Sequence, residues 1–123
     1  MRLITKDLPL ASHRYARQAA EAARCAGAEG QYWPYHGRLF AEQPRFTEER
    51  LIEYAVGVGL EREAFARCLA ERRFARAVDA DLAQARALGI ASTPTFLING
   101  RVLVGAHPPE TFRSVIDDVL GSR

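Results

Sequence analysis

The 123-residue chain is 48% apolar and 26% charged, enough for one domain with a core of its own. Its 17 Lys and Arg face 15 Asp and Glu, and the two signs alternate along helical stretches, which describes solvated helix faces and not a nucleic-acid footprint. No apolar run approaches the roughly 18 residues of a membrane-spanning helix, and two cysteines with three scattered histidines make no zinc site.

In chain order, Arg2 to Lys6 reads as a short strand stopped by Asp7-Leu8-Pro9-Leu10. Ser12 is placed to cap a helix running to about Ala26, with Gly27 at its C′ position. The inward stripe of that helix is mostly alanine (Ala16, Ala19, Ala20, Ala23, Ala26), so a neighbouring helix can approach closely. A second helix starts near Gln31, tolerates Pro34 in its first turn, and carries Tyr32, Trp33, His36, Leu39 and Phe40 as an aromatic core face.

Thr47 caps a third helix, with Glu48 and Glu49 at the positive end of its dipole and Leu51, Ile52, Ala55 and Val58 as its stripe. Phe65, Cys68 and Leu69 mark a fourth helix. A fifth carries Phe74, Val78, Leu82, Ala85 and Leu88 and stops at Gly89. Thr95 to Ile98 and Arg101 to Val104 are apolar runs joined by Asn99-Gly100, the strongest short-range hairpin signal because a type I′ turn needs positive φ at both positions. Pro94 marks a strand start, since it cannot donate to a ladder. Pro109 and Glu110 open a last helix with Phe112, Val115, Ile116, Val119 and Leu120 on one face. The order is strand, five helices, hairpin, helix: a mixed α/β domain.

Cys25 and Cys68 each sit within an apolar helical stripe, 43 positions apart, and the residues alone leave three states open: a redox pair, a structural bridge, or two buried thiols. His36 reads as a packed residue of the aromatic face, and His107, beside Pro108-Pro109, as an exposed one. No phosphate-binding loop or catalytic triad pattern is present.

Several strings resemble the DsbA family of thiol-disulfide oxidoreductases, which place a helical insertion inside a thioredoxin fold. They are Asp7-Leu8-Pro9-Leu10, Ala22-Ala23-Arg24-Cys25-Ala26, Tyr32-Trp33 with Tyr35-His36 and Leu39-Phe40, and Leu88-Gly89-Ile90 through Thr93-Pro94-Thr95-Phe96 to Asn99-Gly100. The resemblance implies one incomplete α/β domain over residues 1–123. Its helical insertion covers about 11–71, and its cis-proline hairpin and terminal helix about 92–121.

The departure from the family pattern is as informative. The family's Cys-x-x-Cys motif, with the strand and helix that flank it, has no counterpart in this sequence, so no catalytic residue can be carried over. What the resemblance does carry over is Thr93-Pro94 as a platform for an extended peptide or protein substrate. It also implies Cys25–Cys68 as a structural bridge, whose 43-residue loop is worth about 4 kcal/mol on the chain-entropy estimate.

The expected function is therefore protein disulfide exchange as a family, inactive in this chain alone. The alternative is a non-catalytic peptide- or partner-binding module that dimerises through an open sheet edge, and on either reading a homo-oligomer joined through that edge is expected. No cofactor, metal, nucleic acid or membrane is implied. A start at Met1 implies a cytoplasmic product; an additional upstream segment implies the cell envelope or periplasm, where a bridge persists.

Overall fold

The computed structural model describes residues 1–121, and the chain divides into two compact units, one from Met1 to Gln84 and one from Ala85 onward. The first unit is helical. It contains α1 (Ala16–Ala28), α2 (Tyr32–Glu42), α3 (Glu48–Gly57), α4 (Arg62–Ala70) and most of α5 (Ala75–Ala87). The second holds the hairpin β1 (Thr95–Ile98) and β2 (Arg101–Val104), then α6 (Pro109–Gly121). Mostly helical with a small two-stranded sheet, the chain has the DsbA-like thioredoxin architecture with a helical insertion.

The alanine stripe does what its small side chains allow. Ala19, Ala22, Ala23 and Ala26 are buried on α1, which packs against α2, α3 and α4. Tyr35 and Leu51 are completely buried within that core, and the Tyr35 hydroxyl donates to the Leu51 carbonyl at 2.9 Å. Burial pushes that phenol well above its ordinary pKa, so it remains a donor. Thr47 caps α3, its hydroxyl accepting from the Arg50 N–H, and Glu61 caps α4 by accepting from the Ala64 N–H at 2.7 Å.

Four expectations are corrected. Residues 2–6 form no strand, because among the described residues no second strand offers them a ladder. Ser12 is not the α1 cap: the His13 N–H bonds the Leu10 carbonyl and the Ala16 N–H the His13 carbonyl, so turns fill residues 11–15 and the helix begins at Ala16. Gly27 lies inside α1, where a Cβ would stand 3.4 Å from Tyr32 Cβ, and the left-handed residue after the helix is Gly30, with φ of 77°. On α2 the buried positions are Tyr35 and Leu39, four apart. Trp33 and Phe40, 51% and 64% exposed, flank a stripe pointing outward, with the half-buried His36 between them.

The hairpin follows its sequence signal. Asn99 and Gly100 both have positive φ, 48° and 88°, and the register pairs Ile98 with Arg101 and Thr95 with Val104. Phe96 packs edge-on against Phe112 of α6 at 4.7 Å between ring centroids. On the opposite face Leu97, Val102 and Val104 are each more than half exposed.

Candidate functional site

Pro94 sits one residue before β1, and the Thr93–Pro94 peptide is cis. The Pro94 carbonyl accepts from the Gly105 N–H at 2.8 Å, which carries the hairpin ladder one pair beyond the strand ends. Proline has no N–H to return the bond, so the ladder stops there. The Thr95 hydroxyl donates to the Ser92 carbonyl at 2.7 Å and closes the turn leading into the strand.

Thr93 itself is exposed, and neither its N–H nor its carbonyl bonds another described residue. The pairing pattern turns the Phe96 and Ile98 amides toward β2. The amides of Thr95 and Leu97 therefore face the other edge of β1, which pairs with no strand among the described residues. Thr93, Thr95 and Leu97 together offer a short row of backbone donors and acceptors.

Cys25 and Cys68 form a disulfide with Cα atoms 6.0 Å apart, joining α1 to α4. They are 3% and 4% exposed and neither lies in the first turn of its helix. A thiolate acidified by a helix N-terminus, the nucleophile of disulfide exchange, is thus unavailable at either position. No other cysteine exists in the chain.

The structure also assembles a charge cluster that sequence reading missed. Arg24 donates from Nε to Asp7 Oδ2 at 2.6 Å and from its second nitrogen to Asp81 Oδ2 at 2.7 Å. The Asp7 N–H reaches the same Asp81 oxygen at 2.8 Å, fastening the N-terminal segment to α5. Burial raises the Asp7 pKa despite the Arg24 hydrogen bond that opposes it. Beside this cluster the Thr5 and Tyr32 hydroxyls lie 2.9 Å apart, and an open cleft of about 400 Å³ runs between them, Asp7, Arg24, the end of α1 and Phe74. A second buried carboxylate, Glu21, takes Arg17 at 3.2 Å and Arg72 at 2.8 Å. The signal for both clusters was available: Glu21 and Arg24 interrupt an alanine stripe, and Asp81 lies three residues after Val78 on the buried face of α5. Among the described residues no three acidic, histidine or cysteine side chains gather to hold a metal, and no helix is long and apolar enough to cross a membrane.

A family model described as thioredoxin matches residues 1–118, so the chain belongs to the thioredoxin family. Its particular kinship within that family is DsbA-like. A probable DsbA oxidoreductase from Streptomyces coelicolor superposes with a TM-score of 0.77 at 26% identity, over 87% of this chain and 49% of that one. Among curated proteins, Na(+)/H(+) antiporter NhaA 3 of Salinispora tropica is 33% identical over 99% of this chain and 19% of its own length. The Na(+)/H(+) antiporter NhaA of Nitrosospira multiformis is 36% identical over the same shares. The chain thus spans about a fifth of the length of these curated relatives.

Proposed function

We propose that this chain serves protein disulfide exchange of the DsbA type by holding an extended polypeptide at Thr93-Pro94 and along the outer edge of β1. The thiol chemistry is supplied by a Cys-x-x-Cys that these 123 residues do not contain. The observation that carries this reading is the exposed Thr93, whose N–H and carbonyl are unpaired and continue the free backbone row of Thr95 and Leu97. An extended peptide adds to such an edge by main-chain hydrogen bonds, which is sequence-tolerant binding suited to many substrates.

Two measurements test it. The 123-residue chain should not accelerate insulin reduction by dithiothreitol; acceleration that disappears in Cys25→Ser or Cys68→Ser would make those cysteines catalytic and sink the reading. A reduced, unfolded peptide should shift the amide resonances of Thr93, Thr95 and Leu97. Thr95→Pro, which removes an outward N–H and spares the ladder to β2, should abolish the shifts at Thr93 and Leu97.

The second reading is a binding module without chemistry, favoured by one observation: β1 has no charged residue to protect its open edge, whereas β2 begins with Arg101. Its partner is a second copy joined edge to edge, or a larger polypeptide of the antiporter kind that the curated relatives' names describe. Sedimentation velocity at micromolar concentration separates the two, a dimer supporting self-pairing and a monomer leaving the larger partner.

A further inference from the structure

The cleft beside Asp7 belongs to the first compact unit and has no part in the reading above. Its volume of about 400 Å³ lies within the range of small-ligand sites. Several separate features favour positive charge there. The first is Asp7: its Oδ2 takes the Arg24 Nε, while its Oδ1 accepts no hydrogen bond from any described residue. Arg24 also lines the cleft, but its guanidinium is divided between Asp7 and Asp81. Lys6, 3.7 Å from Asp81 with a side chain 58% exposed, is a solvated counter-charge of small effect.

The second feature is the helix end. Gly27 and Ala28, from the last turn of α1, line the cleft at the negative pole of the helix, where the Ala26 and Gly27 carbonyls accept from the Glu29, Gly30 and Gln31 N–H groups. Helices commonly place a basic residue there; α1 has none in its last turn. The third is the wall. Tyr32 and Phe74 offer ring surface to a cation and its carbon chain, and the Thr5 and Tyr32 hydroxyls offer acceptor oxygens. Ring walls beside a carboxylate suit an organic cation.

We propose that this cleft binds a primary ammonium group carried on an alkyl chain, the ammonium donating to Asp7, Thr5 and Tyr32 and the methylenes lying against Tyr32 and Phe74. A free alkylamine and the lysine side chain of a polypeptide carry that same chemistry. An arriving ammonium adds a second hydrogen-bonded cation to the Asp7 carboxylate, whose other oxygen accepts from no described residue.

The test is an amide NMR titration of the full chain with cadaverine, with a blocked Gly-Lys-Gly peptide, and with n-pentanol as an uncharged control. Saturable shifts at Thr5, Asp7 and Ala28 are expected with the amines and none with pentanol. Cadaverine alone acting identifies a free amine as the source, and comparable binding of the peptide identifies lysine. Asp7→Asn should weaken binding about tenfold, the size of one charge-assisted hydrogen bond, with the rest of the spectrum preserved. Should that variant unfold, the wild-type pH series serves instead. The groups acting on Asp7 are Arg24, Asp81 and His36, with Lys6 against Asp81, and affinity must fall as Asp7 takes up its proton. No saturable shift with either amine, equal shifts with pentanol, or an affinity indifferent to both Asp7→Asn and pH overturns the proposal.

Discussion

The two compact units solve the same problem with very different success. The first buries Tyr35, Leu51 and Val78 completely and closes its helices around a disulfide. In the second, no described residue is buried: α6 covers one face of the hairpin through Phe112, while Leu97, Val102 and Val104 stay exposed. The difference lies in how each unit can find partners. Helices satisfy their own backbone and need only an apolar stripe, and the alanines of α1 let three neighbours come close. A strand needs another strand at each edge, and a hairpin of four-residue strands has one free edge on each side.

The largest test of that contrast is the disulfide. Replacing both Cys25 and Cys68 by serine should destabilise the first unit by about 4 kcal/mol, the chain-entropy value for a loop of this length. Urea unfolding followed by the fluorescence of Trp33, the chain's one tryptophan, measures this. A variant as stable as wild type would mean that packing alone holds α1 to α4.

Next in size are two leucines. Leu51→Ala empties a fully buried position and should cost about 3 kcal/mol, whereas Leu97→Ala, at a position 52% exposed, should cost less than about 0.5 kcal/mol. If Leu97→Ala proved as costly as Leu51→Ala, the hairpin face would be covered in solution, and the contrast between the units would fail. Smaller again is Gly37→Ala. A Cβ at this position in α2 would meet nothing within 4 Å, so the substitution should stabilise by about 1 kcal/mol through helix propensity, read as a shift in urea midpoint.

The smallest expected effect is on pH. Because burial raises the folded-state pKa of Asp7, the folded chain holds this proton more tightly than the unfolded chain. Asp7 therefore costs stability above its raised midpoint, and the cost disappears as pH falls toward the unfolded carboxylate value. The stability of Asp7→Asn relative to wild type should accordingly be higher at pH 7 than near pH 4. A relative stability that does not change over this interval would show that Arg24 fully compensates the charge.

These same features show what could be read from the sequence. The Asn99-Gly100 turn and the Thr47 cap are local chemistry, each decided within four residues, and both stand where the sequence places them. The DsbA-like class was legible because its hairpin strings are also local. The strand expected at residues 2–6 needed a ladder that its own residues cannot supply, so apolar character alone did not make it one. The outward turn of Trp33 and Phe40 was missed because α2 carries aromatic residues on both of its sides, and only tertiary packing chooses Tyr35 and Leu39. The Asp7–Arg24–Asp81 cluster joins residues from three parts of the chain, and no spacing rule spans such distances.

The bond between Cys25 and Cys68 also changes the chain's topology. It turns residues 25–68 into a covalent ring that contains all of α2 and α3, with the remaining residues as two tails. A single backbone cut anywhere in the ring's interior opens it without releasing a fragment. The loops at residues 29–31, 43–47 and 58–61 are thus the places where this molecule can be nicked and still migrate as one piece until a reductant is added.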